Sequence, residues 1–544
     1  MANLKINKQE FEKYIKLTPQ IIEKINLFGT PIEKLSDNEI EIEILPNRPD
    51  MLSMYGFLRS FESLIGKPSL NEYKISKPKK EYFIEIDPSV AKIRPYTACA
   101  IAKNISFDDE KIKEIIDLQG KLHATLGRKR KKVAIGIYPL DKIKLPIKYE
   151  ARSPHKIKFM PLDYERELNA LEILKMHPTG KEYAHLLEGY DKFPLFVDSA
   201  DKILSMPPII NSNETGKITI NTKDVFIECT GFDFNILKKT LNIIVATLAD
   251  MNKDSEMFSM ELRYKNGKEI TPDFKTEKIS VSLERINKLI GIDIKEDELK
   301  RLLLKMGHDY RDREAIIAPW RIDILHEVDI IEDVAIAYGY ENFTPIIPNI
   351  STIGEESKKE ILKRKISDLL VGLGFLETSS YSLTNIHEMK KTGLKNNPIE
   401  IEESKSEYNM LRENLLVSSM KILSNNIDAE YPQNIFEIGT IFKKQNSSIE
   451  ESDSLVVSLC PSNFTKAKQI LEYLGKMLNL SFSLEVEKHP SFVEGRTASI
   501  LLNNKKIGNL GEINPLVLKN WHMKMPVASF EINLEERYKL LNNQ

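Results

Sequence analysis

"APWRIDILHEVDIIEDVAIAYGY" (Ala318–Tyr340) sets a buried-helix pattern of Ile, Val and Ala beside Asp323, Glu327, Asp329, Glu332 and Asp333. With a helix starting near Glu327, the carboxylates of Asp329, Glu332 and Asp333 fall at i, i+3 and i+4 and share one face. Val328, Ile331, Ala335 and Tyr338 form an apolar stripe on another side, so core and charge coexist. Asp323, just upstream, would complete a set of oxygen ligands of the kind a hard cation such as Mg²⁺ takes. The same residues also suit the first turn of any helix, where the dipole and the cap favour acids. Spacing does not choose between the two readings.

Working outward, the preceding "TEKISVSLERINKLIGIDIKEDELKRLLLKMGHDY" predicts strand, helix, turn, helix, so that a unit runs from about 270 to 348. Near the start of the chain, Glu39 to Leu45 alternates like a strand with Ile42 and Ile44 on one side. Asn47, Pro49 and Asp50 then supply turn chemistry. A helix follows from about Leu52, with Met54, Leu58, Phe61 and Leu64 as its stripe, and the Pro- and Lys-rich "KPSLNEYKISKPKK" (Lys67–Lys80) reads as a linker. A mixed block spans 81–269. In it "KITINTKDVFIECTG" shows two β-rich runs around a polar break, the pattern of a hairpin or of two sheet strands, and a helix is expected near Asn235–Met251. The tail, 355–544, alternates helices such as "EILKRKISDLLVGLGF" with strands such as "NIFEIGTIF" and "TASILLNNKKIGNLGEI".

Bulk properties narrow the class. At 544 residues the chain is too long for one core, and Lys plus Arg (78) against Asp plus Glu (80) leaves a net charge of -2. Any basic surface must therefore be local. Three widely spaced cysteines, Cys99, Cys229 and Cys460, fit neither a disulfide framework nor a zinc spacing, which favours a reducing compartment. No run approaches the ~18 apolar residues of a membrane span, and the polar N-terminus lacks a signal-peptide core. An intracellular, soluble protein is expected.

Two further constellations carry chemistry. Arg128, Lys129, Arg130, Lys131 and Lys132 form the densest basic run, suited to phosphate contacts or equally to a solvated helix end. In "SMPPIINSNETG" two prolines stiffen the backbone while Asn211, Ser212 and Asn213 present uncharged hydrogen-bonding groups, and Glu228 and Thr230 arrive from the next β-rich run. That convergence suits a small-molecule pocket, and equally a loop with Asx capping. There is no GxxxxGK[ST], GxSxG, HExxH or GxGxxG after a strand.

Six stretches in order, "EIEILPNRPDMLSMYGFLR", "IIDLQGKLHATLGRKRKKVAIGIY", "MPPIINSNETGKITINTKDVFIECTGFDF", "WRIDILHEVDIIEDVAIAYGYENF", "NIFEIGTIF" and "IGNLGEINPLVL", resemble the beta subunit of phenylalanyl-tRNA synthetase in its shorter archaeal and eukaryotic form. The bacterial form's added OB-fold and anticodon-binding domain have no room here. The resemblance implies an α+β, multidomain protein. Its parts would be an N-terminal α/β domain (1–80), a tRNA-editing domain (81–269), a small winged-helix-like domain with the acidic motif (270–348), and a class II synthetase-like antiparallel sheet domain without catalytic motifs (355–544). It implies a cytoplasmic (αβ)₂ ligase in which the alpha subunit joins phenylalanine to tRNA with ATP, the tail serving as the interface for alpha. No residue of this chain is then catalytic for aminoacylation. By the same resemblance Asp323, Asp329, Glu332 and Asp333 hold Mg²⁺, and Ser205, Asn211, Ser212, Glu228 and Thr230 surround an editing pocket. There Glu228 binds the phenol hydroxyl of tyrosine. With tRNA as the expected ligand, the charge of the run Arg128–Lys132 makes it the candidate phosphate contact. An apolar phenylalanine site rejects an added hydroxyl only about a hundredfold, which gives editing its purpose. The chain departs from the family pattern at Phe232, where threonine is usual, and at Pro139, where aspartate is usual. The first departure bears on the shape of the pocket. An assembly and tRNA-binding subunit without editing is the alternative, and a free-standing Mg²⁺-dependent hydrolase is a more distant one.

Overall fold

Strict alternation of Glu39, Glu41 and Glu43 with buried Ile40, Ile42 and Ile44 makes Glu39–Ile44 the central strand of a small antiparallel sheet, flanked by Ala2–Asn7 and Ile32–Leu35. Helix Met54–Leu64 follows a Ser53 cap and buries Phe57 and Phe61. The computed structural model describes residues 2–66, 72–394, 398–404, 406–445 and 448–542. It is mixed α/β and divides into two compact units, Met1–Ile347 and Pro348–Gln544.

Among the described residues the first unit contains an eleven-stranded sheet. Along its main path the order is Ile210–Asn211, Ile203–Met206, Phe193–Val197, Ile147–Arg152, Phe83–Ile86, Glu256–Tyr264, Tyr96–Lys103, Val225–Gly231 and Val133–Pro139. The expected strand at "KITI" does not form. Thr219 and Thr222 close a turn there, Ile220 is exposed, and both edges of Val225–Gly231 are already paired, so no ladder position is open to it. The expected linker Lys67–Lys80 lies outside the described residues at 67–71. Its described part is no free spacer, because Ile75 and Ser76 pair with Met257 and Phe258.

One hydrophobic cluster runs through 1–80, 81–269 and 270–348, from Leu4 and Phe57 through Ala100 and Ile244 to Ile330. Helix Phe234–Met251, capped by Asp233, is its spine. Asn242 donates to the carbonyls of Asp273 (2.8 Å) and Pro319 (3.0 Å). At the far end Asp250 accepts from Arg59 (2.6 Å) and from the Tyr73 hydroxyl (2.5 Å), and the Arg59 guanidinium lies 4.7 Å from the Trp320 ring centroid. One helix thus ties three stretches of chain together through polar bonds inside an apolar core.

Among the described residues the second unit contains a seven-stranded sheet ordered Leu376–Glu377, Gln433–Gln445, Ser448–Cys460, Ala528–Asn533, Lys505–Ile513, Phe492–Leu502 and Phe482–Val486. It is antiparallel apart from its first pair. Leu362, Ile366, Leu370, Leu471 and Leu474 pack on one face from helices Lys358–Gly372 and Phe464–Met477. A separate cluster around helix Leu416–Asn425 and Trp521 packs with Ile435, Phe492 and Ile513.

Asp250→Ala is expected to cost about 3–5 kcal/mol, because it strands a guanidinium that is already short of partners at Nε and Nη2. Urea unfolding of the variant measures it, and a loss under 1 kcal/mol would mean that Arg59 reaches water.

Candidate functional site

On strand Val225–Gly231 the period of two sends Ile227 and Cys229 into the helix-side core and Phe226, Glu228 and Thr230 to the opposite face. Glu228 pairs in register with Gly136 on one neighbour and Cys99 on the other. A Cβ at 136 would stand 2.2 Å from the Tyr138 hydroxyl and 2.5 Å from Glu228 Oε1, so the glycine makes room for the carboxyl. The Tyr138 hydroxyl donates to Glu228 Oε1 at 3.0 Å and lies 3.2 Å from Asn211 Oδ1. Glu228 is 2% exposed, and its Oε2 has no partner; neither has the buried Ser205 Oγ.

Beside this carboxyl opens a cavity of about 600 Å³. Glu228, Asn211, His123, Arg130 and the Pro207–Ile210 turn line it, together with the apolar face of helix Asp109–Ala124. Burial pushes Glu228 up to about 8 against the pull of Tyr138 and Arg94. Burial, aided by Arg130 and Arg94, pushes His123 down to about 3. The wall therefore presents a neutral acid and a neutral imidazole.

Of the five residues expected at the pocket, Glu228 and Asn211 line the cavity. Thr230 is spent on Arg94, accepting from Nε (3.0 Å) at its hydroxyl and from Nη2 (2.6 Å) at its carbonyl. Ser212 Oγ accepts from the Glu214 amide at 3.4 Å. Ser205 sits opposite Asn211 in the hairpin Ile203–Met206/Ile210–Asn211, behind the cavity wall. Phe232 lies outside the cavity lining, exposed, with the Arg94 guanidinium 5.5 Å from its ring centroid. Pro139 ends its strand opposite Val225. In the basic run Arg128, Lys129, Lys131 and Lys132 are exposed. Arg130 instead turns inward, donating to the carbonyls of Ile209 (2.6 Å) and Pro208 (3.3 Å) and stacking over Tyr183. Tyr138, His123, Gly136 and Arg94 went unnoticed in the sequence. The glycine inside the alternating "VAIGIY" was the one signal available.

The acidic motif forms the helix Glu327–Tyr338, with Asp329 at the third position of a capping box. Asp323, Asp329, Glu332 and Asp333 line one cleft of about 370 Å³, with Asn47 and Arg48 opposite. Arg321 binds both Asp323 (2.7 Å) and Asp333 (2.8 Å), and His308 meets Asp333 at 2.8 Å. Burial would raise the Asp333 carboxyl, but Arg321 and His308 outweigh it and hold it well below the usual range. Asp329 Oδ2 accepts from the amides of Leu325 and His326 (both 2.8 Å), while Glu332 is exposed. Among the described residues no three His, Cys, Asp or Glu side chains converge closely enough to hold a metal ion as they stand. Asp329 and Glu332 are the two of the four not taken by Arg321, and one or two carboxylates with retained water suffice for Mg²⁺. The donor chemistry fits such an ion through those two.

Three family descriptions match the chain: "B3/4 domain" over residues 82–251, "tRNA synthetase B5 domain" over 279–340 and "Phenylalanyl tRNA synthetase beta chain CLM domain" over 344–534. A phenylalanine–tRNA ligase beta subunit of Thermococcus sibiricus is 39% identical over 506 residues, covering 91% of this chain and 90% of the relative. One of Archaeoglobus fulgidus is 35% identical over 525 residues, covering 94% of each. A solved N-terminal fragment of the phenylalanyl-tRNA synthetase beta subunit from Pyrococcus horikoshii superposes with TM-score 0.59 at 33% identity. It covers 62% of this chain and 99% of the fragment.

The two neutral groups at the cavity predict opposite pH limbs in stability. Glu228 is raised on folding, so its contribution is full below about 4.5 and lost as pH rises through about 8. His123 is lowered, so its contribution is full above about 6.5 and lost as pH falls toward about 3. Each limb has a limiting slope of about 1.4 kcal/mol per pH unit. Unfolding free energies measured from pH 4 to 9 are expected to flatten on the alkaline side in Glu228→Gln and on the acid side in His123→Gln. Unchanged slopes would refute the burial argument.

Proposed function

Because this chain belongs to the family of phenylalanine–tRNA ligase beta subunits, we propose that it supports ATP-dependent charging of tRNA on a separate alpha subunit and hydrolyses Tyr-tRNA at the Glu228 pocket. The alpha subunit is its partner in an (αβ)₂ assembly in the cytoplasm, and tRNA is its second ligand. No described helix is long and apolar enough to cross a membrane. The antiparallel sheet of the second unit serves as a class II-like platform without catalytic motifs, and the segment 270–348 as the winged-helix-like domain. Exposed Arg128, Lys129, Lys131 and Lys132 offer phosphate contacts at one end of the pocket wall, while Arg130 braces the wall itself.

The editing reading rests on one observation: Glu228 Oε2 is buried, without a partner, on a residue that lines a 600 Å³ cavity. A tyrosine hydroxyl reaching that oxygen and accepting from the protonated carboxyl would relieve a deficit of about 1–3 kcal/mol, and phenylalanine has no hydroxyl to offer. A second reading, assembly without editing, is favoured by Tyr138, whose hydroxyl already holds the other carboxyl oxygen. Deacylation of preformed Tyr-tRNA by the αβ complex separates the two. The complex is expected to hydrolyse Tyr-tRNA, with Glu228→Ala cutting its preference over Phe-tRNA about tenfold or more. No hydrolysis by the unmodified complex favours the assembly reading.

Mg²⁺, when bound at the acidic cleft, supplies charge compensation held by Asp329 and Glu332 with water completing its shell. Arg321 keeps Asp323 and Asp333 in place. Titration with Mn²⁺ followed by electron paramagnetic resonance is expected to show one site weakened about tenfold or more by Glu332→Ala, since a hard cation loses one of its few charged ligands. Equal affinity in that variant would remove the site from this cleft.

A further inference from the structure

His123 occupies the last turn of helix Asp109–Ala124, on the face that turns Ile112, Ile116 and Gln119 to the cavity, and it lines the same cavity as Glu228. The Ile135 amide donates to its Nε2 at 2.8 Å. An imidazole nitrogen that accepts a bond carries no proton, so in the neutral ring the proton sits on Nδ1. Among the described residues Nδ1 makes no hydrogen bond, and it is not among the buried atoms that lack one, so solvent in the cavity reaches it. Ile135 precedes Gly136, the residue paired with Glu228, so one strand fixes both the carboxyl and this donor. The charged and titratable neighbours on the cavity wall are Arg130, Lys217, Glu228, Asp163 and His177, with Arg94 close by. Neutrality persists because the site is buried and the nearest charges are cationic.

We propose that His123 is a catalytic residue of the hydrolytic site, its Nδ1–H donating a hydrogen bond to the carbonyl oxygen of the aminoacyl ester as that oxygen becomes negative. This rests on the editing reading. In the reaction a water oxygen bonds to the ester carbonyl carbon and the carbonyl electron pair moves onto its oxygen. Collapse then breaks the bond to the ribose oxygen. One proton of the water passes to that ribose oxygen, and the other leaves the new carboxyl group to solvent. His123 neither gains nor loses a proton. It acts as a fixed dipole aimed at developing charge, a contribution of about 10²–10³ in kcat when one such donor is removed.

The test is deacylation of Tyr-tRNA by the αβ complex across pH 5.5–8.5, with His123→Ala and His123→Gln. The alanine variant is expected to lose about 10²–10³ in kcat with KM within threefold. The glutamine variant, which can accept from the Ile135 amide and still donate, is expected to recover part of the loss, whereas a purely structural role would show in melting temperature and not in kcat. The unmodified rate is expected to show no inflection near pH 6.5, the ordinary histidine range. A kcat within threefold in His123→Ala, or a rate climbing through that range as a titrating base would give, overturns the proposal. If the unmodified complex hydrolyses nothing, the editing reading has failed. The donor is then judged by adding 3′-tyrosylamino-3′-deoxyadenosine to the full chain and following the ¹⁵N signal of His123 Nδ1. A shift on binding sustains the donor, and an unmoved signal overturns it.

Discussion

Holding a carboxyl group in mid-sheet with a phenol as its one hydrogen-bonding partner costs several kcal/mol if the group stays ionised, and the surroundings of Glu228 are arranged so that it does not. Its cross-strand neighbours are a glycine and a thiol, neither of which carries charge. The nearest guanidinium, Arg94, is committed to Thr230 and to the carbonyls of Arg130 and Lys131. Tyr138 offers a neutral donor, and its ring is fixed by stacking on Phe226. The outcome is a neutral acid with one oxygen satisfied and one left over.

The acidic cleft of the same unit solves the opposite problem. There the carboxylates remain charged because Arg321, itself almost fully buried, bridges Asp323 and Asp333 and is reinforced by His308. An ion pair at that depth gains little net stability, though breaking it by removing one partner is costly. Its effect is to fix the geometry of the helix Glu327–Tyr338 against the loop before it, so that Asp329 and Glu332 meet the cleft as a pair. One polypeptide thus contains a single carboxyl and a carboxylate cluster whose environments push them apart, the first toward neutrality and the second toward permanent charge.

What the sequence made legible follows the range of each interaction. Helix Glu327–Tyr338 and strand Glu39–Ile44 announced themselves because their periodicity is local. The grouping of Asn211 with Glu228 was legible from motif resemblance, and both line one cavity. Tyr138 lies 90 residues from Glu228 and reaches it only through strand register, which no single sequence displays. Likewise Arg321 and His308 are found beside Asp333 by folding alone. The missing strand at "KITI" shows the converse: β propensity supplies a willing segment, but a strand exists only where a ladder edge is free. In the basic run, charge density hid a division of labour, since Arg130 is a clamp for the Pro207–Ile210 turn while its neighbours face water.

The rigidity of that turn bears on what the cavity can discriminate. Two prolines and the Arg130 clamp hold the wall opposite Glu228, so the pocket is formed before any ligand arrives. A preformed apolar site distinguishes phenylalanine from tyrosine poorly, because an added hydroxyl finds room or water. A site built on a buried, unsatisfied carboxyl O–H works the other way, since the aromatic ring that lacks a hydroxyl leaves that group unpaired, a penalty that reaches about 10⁴–10⁵ where a site is built to hydrogen-bond a hydroxyl. On the proposed reading, correction is therefore placed where the chemistry is asymmetric in its favour. The error that an apolar synthetic pocket admits is the one molecule able to complete the hydrogen bonding of Glu228, and the correct product is the one that cannot.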